Sequence, residues 1–325
     1  MLNTSDWLSP AEIRGTMGNS TTVTECVLLG LSDACELQML IFLGFLLNHL
    51  LTLLGNLLIV IITLMDRRLH TAMYYFLHNF AILEIWFTSL IFPKMVTNIL
   101  TGYKTISLAS CLLQFFFYFF LGTTEFLLLA VMSFNKYVAI CNLLRYATII
   151  SKRAYVHLVL CSWKAGFLLI IFPSSITFQQ PFCGPNTVNH FFCDSFLLLE
   201  LVRADTSLIE LLGFIVANFS LLGTLSVTAT CYGHILHTIL HIPSPKERQK
   251  AFSTCSSHII VLFLFYGSCI LMYIQSGKCS QGEDRSKVVA PLNTVVTLMV
   301  NPFIYTLRNK QVKQGFLEKV SKLLS

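Results

Sequence analysis

Residues 288–306 read VVAPLNTVVTLMVNPFIYT, an apolar run with no charged side chain that ends two residues before Arg308. Hydrocarbon offers no hydrogen-bond partner to a bare backbone, so a run of this length crosses a bilayer as a helix. Six more apolar runs precede it, near 37–65, 73–100, 107–134, 155–178, 207–240 and 251–275. The sequence therefore predicts an all-α membrane protein whose residues 37–306 form a bundle of seven transmembrane helices.

The overall composition also favours a membrane protein. Charged residues make up 12% of the chain and apolar residues 55%, which argues against a disordered chain or a soluble domain. The net charge of +6 does not indicate a nucleic-acid partner, because Lys and Arg lie in short segments between the apolar runs. Membrane lipid is the predicted surrounding of the chain, and no nucleic acid is expected as a partner.

The distribution of Lys and Arg predicts the orientation. The segments that face one side carry fourteen of them and the segments that face the other side carry seven. The richer side is cytoplasmic by the positive-inside rule, so residues 1–36 are an extracellular segment and residues 307–325 a cytoplasmic tail. Asn19 and Asn3 are then accessible glycosylation acceptors. The apolar spacing of the tail predicts a short amphipathic eighth helix on the inner membrane surface, with a solvated tail as the alternative.

Two of the eleven cysteines stand out by their position. Four of the others, Cys161, Cys231, Cys255 and Cys269, lie within predicted helices, where a free thiol serves as a small apolar side chain. Cys111 opens the third helix and Cys193 lies midway through the outer loop 179–206, in an oxidising compartment where a disulfide bond persists. A bond between them would hold the loop over the mouth of the bundle. Cys183 is either a free thiol or a partner of Cys279.

Several motifs along the chain carry a resemblance to a known family. They are Gly55-Asn56, LHTAMYYFL at 69–77, YVAICN at 137–142, KAFSTCSSH at 250–258 and NPFIYTLRNK at 301–310. In this order and at this spacing, the chain resembles the olfactory receptors, within the rhodopsin-like G-protein-coupled receptors. The resemblance implies a receptor that binds a small volatile odorant and activates a heterotrimeric G protein of the stimulatory olfactory type, which raises cyclic AMP. It also implies the plasma membrane, in sensory-neuron cilia, as the location.

Two carboxyl groups lie deep in the predicted membrane core. Glu84 and Glu125 lie in the second and third helices, and a lone carboxylate there is costly unless it is paired, protonated or bound to a cation. With Asn56 and Asn301 near the same depth, the two could hold a sodium ion, and the resemblance implies a cation at these positions. The alternative is that one or both are protonated and only hydrogen-bonded. No other cofactor is expected.

The seventh helix and the inner end of the third carry the residues expected to move on activation. Pro302 removes one backbone donor next to Asn301 and bends its helix, and in the family Tyr305 then moves together with the tyrosine of the fifth helix, here Tyr232. The third helix ends in Asn135-Lys136-Tyr137, where the family usually carries Asp-Arg-Tyr. Because lysine lacks the guanidinium fork of arginine, a weakly coupled or non-signalling receptor is the alternative function.

The predicted ligand-binding residues form an aromatic, mostly uncharged set with a few hydroxyls. Helical spacing places one group of them on a single face of the third helix, and the resemblance supplies facing positions on the fifth, sixth and seventh helices. Such a lining suits a small, mostly apolar, neutral molecule. The set is Phe115, Tyr118, Phe119, Gly122, Thr123, Val216, Ala217, Ser220, Tyr266, Cys269, Ile270, Tyr273 and Thr294, with Ala290 and Pro291 beside it.

Other functional classes have less support in the sequence. It offers no nucleophile paired with a base, no cluster of metal-ligating histidines and no phosphate-binding glycine loop, so an enzyme is not expected. A cation channel or transporter is a stronger alternative, because Glu84, Glu125 and the nearby asparagines could line a cation path. One further departure from the family is Lys164, a charge inside the fourth helix that has to reach an interface or find a partner.

Overall fold

Six long helices dominate the computed structural model of the chain. It describes residues 25–28, 35–101, 105–182, 187–188, 193, 198–199, 201–202, 204–276, 301–302 and 304. The helices are α1 (Cys35–Met65), α2 (Ala72–Thr101), α3 (Leu108–Cys141), α4 (Lys152–Phe178), α5 (Ser207–Leu240) and α6 (Pro245–Ser276). All six are long and apolar enough to cross a membrane. Asn301 and Pro302 are helical, whereas most of the predicted seventh crossing and the whole predicted eighth helix lie outside the described residues.

Two helices are longer than the hydropathy pattern predicts. α3 continues past Phe134 to Cys141, and its C-terminal end is closed by the Asn142 amide, which donates to the Val138 carbonyl at 3.0 Å. α6 begins at Pro245, ahead of the predicted residue 251. Proline suits the first helical position because its missing N–H would have had no partner there. Hydropathy marks only the part of a helix inside the hydrocarbon, so these terminal turns, which carry charged residues such as Lys136, Lys246 and Glu247, were left out of the predicted ranges.

The fifth helix is not regular along its length. It consists of an α-helix (Ser207–Asn218), a π-helical segment (Phe219–Gly223) and a second α-helix (Thr224–Leu240). A π-helical segment shifts the register of every side chain after it and is common near functional sites. The sequence pattern predicted an uninterrupted helix here. The segment includes Ser220, one of the predicted ligand-binding residues.

The outer loops contain a small sheet that the sequence did not predict. Its strands are β1 (Glu25–Leu28), β2 (Thr105–Ser107) and β3 (Thr187–Val188), in the order β2-β1-β3. β1 pairs antiparallel with β2 and parallel with β3. Strands of two to four residues carry too little alternation to be recognised in a sequence. The sheet ties the N-terminal segment to the two loops that flank the Cys111–Cys193 disulfide bond.

Two glycines allow helices to approach each other closely. A Cβ atom on Gly55 would lie 2.9 Å from the Cβ of Pro302, so α1 packs directly against the seventh crossing at this point. A Cβ atom on Gly166 would overlap the Thr124 hydroxyl, so α4 packs directly against α3. Real Cβ contacts do not reach such distances, and glycine is the residue that permits this packing. α3 packs against α2, α4 and α5 and so occupies the middle of the described bundle.

Candidate ligand and signalling sites

The aromatic run of α3 is divided between two sides of the helix. The Tyr118 ring lies 5.2 Å from Phe87 of α2 and 5.3 Å from Phe119, and Phe119 in turn lies 5.1 Å from Phe115. Phe116 and Phe120 instead pack edge-on against Phe167 of α4. The first group is the face that the helical spacing predicted for the ligand.

The structure brings several of the predicted ligand-binding residues into one hydrophobic cluster. Tyr118 and Phe119 of α3, Val216 of α5, and Tyr266 and Cys269 of α6 all pack in it. Thr123 and Ser220 are buried, Gly122 and Ala217 are half-buried, and Phe115 packs against the outer cluster around the disulfide bond. Ile270 is 39% exposed. The Tyr273 side chain and residues Ala290, Pro291 and Thr294 lie outside the described part of the chain.

Hydroxyl groups below this cluster link three helices. Ser133 of α3 donates to the Thr228 hydroxyl of α5 at 3.5 Å, and the Thr228 hydroxyl lies 3.4 Å from the Tyr266 hydroxyl of α6. Both distances are at the long end of the hydrogen-bond range, so each bond is weak. The Ser220 hydroxyl of the π-helical segment is buried and has no hydrogen-bond partner within the described structure. A ligand with a single polar atom could bond to it without breaking an existing contact.

A stronger contact joins the C-terminal half of α5 to α6. The Tyr232 hydroxyl lies 2.6 Å from Nδ1 of His258, and the His258 side chain is 2% exposed. The Nε2 atom of His258 is also buried and has no partner among the described residues. Tyr232 was predicted to move on activation, whereas Tyr305, its expected counterpart, lies outside the described residues. His258 is the last residue of the motif at 250–258, and that motif is the sequence feature that could have pointed to it as a functional residue.

At the C-terminal end of α3, the Asn135-Lys136 pair has partners that the sequence did not reveal. The Tyr146 hydroxyl, on the helical turn between α3 and α4, donates to the Asn135 side-chain oxygen at 3.1 Å. The Lys136 ammonium lies 3.2 Å from the Met73 sulfur of α2. Lys136 is therefore in contact with a thioether rather than with a carboxylate. The next residue, Tyr137, packs against His234 of α5 with the rings tilted and their centroids 5.7 Å apart.

Three of the four predicted cation-binding residues, Asn56, Glu84 and Asn301, meet inside the bundle. Glu84 is fully buried and accepts hydrogen bonds from the side-chain amides of Asn56 at 2.8 Å and Asn301 at 2.6 Å. Glu125 is 2% exposed. One Glu125 carboxyl oxygen and the Asn301 amide oxygen are buried and have no hydrogen-bond partner among the described residues. The arrangement thus presents oxygen atoms with unused acceptor capacity.

The predicted disulfide bond between Cys111 and Cys193 is present in the structure. It joins the first turn of α3 to the outer loop, and the Cys193 amide also donates to the Gln114 side-chain oxygen at 3.3 Å. Phe182, Leu198 and Leu201 pack around it. Cys183, Cys279 and the two glycosylation acceptors, Asn3 and Asn19, lie outside the described residues.

Known proteins resemble this chain along almost its whole length. A family model described as "Olfactory receptor" matches residues 45–323. Olfactory receptor 6E1 of Mus musculus is 77% identical over 306 residues, which cover 94% of this chain and 98% of the relative. Olfactory receptor 2AP1 of Homo sapiens is 51% identical over 95% of this chain and 100% of its own length. The chain therefore belongs to the olfactory receptor family of rhodopsin-like G-protein-coupled receptors, which are membrane receptors and not enzymes.

Proposed function

We propose that this receptor binds a small, mostly apolar, neutral odorant between the outer halves of α3, α5 and α6. Binding activates a heterotrimeric G protein of the stimulatory olfactory type at the plasma membrane of sensory cilia and raises cyclic AMP. The observation that carries this proposal is the chain of hydroxyls from Ser133 through Thr228 to Tyr266, which links three helices directly beneath the predicted ligand-binding face.

The described lining supports the ligand chemistry. Tyr118, Phe119 and Val216 offer aromatic and aliphatic contacts, and the Ser220 hydroxyl offers one unused hydrogen bond. No acidic residue occupies the outer half of α3, from Leu108 to Thr124, so an amine has no counter-ion there. The sequence also has no lysine between Val288 and Thr306, which removes a retinal Schiff base as a binding mode. A neutral molecule with one oxygen-containing group fits these residues best.

The hydrogen-bond lengths suggest how a ligand acts on the bundle. The contacts of Thr228 with Ser133 and Tyr266 are weak, so a ligand that displaces the Tyr266 ring can break them at little cost. α6 then moves relative to α3, and the Tyr232–His258 contact near the cytoplasm rearranges with it. A ligand shifts this equilibrium only as far as it binds the open arrangement more tightly than the closed one.

A cyclic AMP reporter in transfected cells, combined with an odorant panel, tests this proposal. The expected result is a saturable response to one or more neutral odorants that vanishes in cells lacking the stimulatory olfactory G protein. A receptor that reaches the cell surface but gives no response to any odorant, even with the coupling motif repaired as described next, would contradict it.

A weakly coupled receptor is the second candidate function, favoured by the contacts of the Asn135-Lys136 pair. Asn135 is neutral and offers no charge to Lys136, whose ammonium contacts the Met73 sulfur instead. We expect Asn135→Asp with Lys136→Arg to raise the maximal cyclic AMP response by about tenfold, since arginine supplies a planar donor fork that lysine lacks. The measurement is the dose–response curve of the double variant, normalised to surface receptor, against the unchanged chain.

A matched control is Lys152→Arg, which makes the same chemical change at the exposed start of α4 and is expected to leave the response unchanged. Equal maximal responses of the unchanged chain and the double variant would contradict the idea that the departure weakens coupling. A response seen only in the double variant would establish that the natural chain is a non-signalling family member.

We also propose that Glu84, Glu125, Asn56 and Asn301 hold a sodium ion in the resting receptor. Sodium favours oxygen ligands. One oxygen of Glu125 and the amide oxygen of Asn301 are buried without a partner among the described residues, and Asn301 also donates to the Glu84 carboxylate. The two asparagine amides that bond to Glu84 keep its oxygens in a defined orientation. The bound ion would offset the cost of burying two carboxylates in the membrane.

Sodium is then expected to raise the unfolding temperature of the purified receptor by about 2 °C or more, because a ligand that binds only the folded state stabilises it. The comparison is sodium chloride against choline chloride at equal ionic strength. Glu84→Ala and the nearly isosteric Glu125→Gln are both expected to abolish the difference. Glu210→Gln changes an exposed carboxylate at the start of α5 and serves as the control. A sodium-specific shift that persists in both Glu84→Ala and Glu125→Gln argues against this site.

A further inference from the structure

Lys164 lies in the middle of α4 with its side chain exposed on the outside of the bundle. α4 runs from Lys152 to Phe178, so Lys164 lies about 18 Å along the helix axis from its cytoplasmic start and about 21 Å from its outer end. Half the hydrocarbon core of a bilayer is about 15 Å thick. Either distance along the axis exceeds the reach of a lysine stem of four carbons.

The surface around Lys164 is apolar. Along the same face, Leu160 is 47% exposed, Phe167 43%, Leu168 65% and Phe172 60%. The salt bridge found among the described residues joins Arg68 to Asp66, and none of the described carboxylates forms one with Lys164. The carboxylates at similar depth, Glu84 and Glu125, are enclosed in the bundle at 0% and 2% exposure. The bundle itself therefore leaves this charge facing lipid.

A charged side chain exposed to the centre of the hydrocarbon is costly, and an opposite charge on a neighbouring helix removes most of that cost. We propose that this face of α4 is a docking surface for another membrane protein, whose membrane-spanning helix carries an Asp or Glu near the middle of the bilayer. The face is defined by Leu160, Cys161, Lys164, Phe167, Leu168 and Phe172. The apolar side chains supply the packing surface and Lys164 selects the partner by charge.

A second copy of this chain fits the surface poorly. A symmetric contact through α4 would bring the two Lys164 side chains together, and like charges in low dielectric repel strongly. The exposed carboxylates of the described part that could pair with it asymmetrically, such as Glu210 and Glu247, lie in the first turns of α5 and α6 rather than at mid-depth. The charge pattern therefore favours a different protein as the partner.

The first test uses the full receptor in lipid vesicles with a designed leucine-rich single-span helix that carries one central Asp. Energy transfer between labelled receptor and helix is expected to exceed that with an all-leucine helix by about fivefold, and Lys164→Leu is expected to abolish the difference. The Lys164→Asp variant is expected to stop binding the helix with the central Asp and to bind instead a helix with a central Lys. This reversal distinguishes charge pairing from loss of folding.

Cys161 gives an independent map of the contact, because it is exposed one turn away from Lys164 on the same helix. A cysteine placed one turn from the Asp of the designed helix is expected to cross-link to the receptor under copper phenanthroline. Cys161→Ala is expected to remove the product, and Lys164→Leu to reduce it about fivefold.

Neither measurement involves an odorant or a G protein, so the outcome is independent of the proposed signalling function. Energy transfer equal for the Asp and all-leucine helices, or cross-linking unaffected by Lys164→Leu, would overturn the proposal.

Discussion

Replacement of Cys193 by serine is expected to abolish delivery of this receptor to the cell surface. The bond to Cys111 closes a loop with a sequence separation of 82 residues, and such a bond stabilises a fold by about 2–5 kcal/mol. The total stability of a folded domain is only about 5–15 kcal/mol. Phe182, Leu198 and Leu201 pack around the bond, so its loss also exposes apolar side chains of the outer loop.

Flow cytometry against an N-terminal epitope on unpermeabilised cells gives the measurement. Cys111→Ser is expected to match Cys193→Ser, and the double variant is expected to be no worse than either, because each single change already removes the whole bond. Cys161→Ser removes an exposed free thiol and is the control, with surface delivery expected to stay normal. Normal surface amounts of either single variant would refute the structural importance of the bond.

Substitution of Gly166 by leucine is expected to have the second-largest effect, a failure of α4 to dock on α3. Even the Cβ of alanine would overlap the Thr124 hydroxyl, and a neighbouring Thr124 backbone nitrogen lies 3.3 Å from the same position. Overpacking of this kind costs about 1–3 kcal/mol, and more for a larger side chain. We expect the unfolding temperature of the purified receptor to fall in the order glycine, alanine, leucine.

A second-site change separates this clash from a general effect on helix α4. Thr124→Ala removes the hydroxyl that Gly166→Ala would strike, so the double variant is expected to recover much of the stability lost in Gly166→Ala. Gly213→Ala is the control, because a Cβ there meets nothing within 4 Å. Additive losses in the double variant, with no recovery, would show that the contact with Thr124 is not the cause.

The hydropathy of the sequence predicted the membrane part of the fold well. The six described helices coincide with six predicted apolar runs, since a backbone in hydrocarbon has no alternative to a helix. The same reasoning failed outside the hydrocarbon, where water can satisfy the backbone in many ways. The helical turns up to Cys141 and from Pro245, and the strand at Glu25–Leu28, were therefore not predicted.

The sequence named candidate site residues, and for two of them it did not predict the contacts. Resemblance named Tyr232 and Tyr266 as candidate functional positions. The partners that they bond or contact lie far away in sequence: Tyr232 meets His258, and the Tyr266 hydroxyl meets Thr228. The sequence did not predict these pairings, because each depends on the rotation of one helix against another.

By itself, the sequence determined that this chain is a multi-pass membrane protein, because the length and apolarity of its segments allow no other backbone arrangement in a bilayer. Its motifs also determined the family. Only the tertiary structure decided which side chains meet inside the bundle and which face lipid. Lys164 is the clearest case: its presence in α4 can be read from the sequence, but its exposure depends on which side of α4 packs against α3 through Gly166.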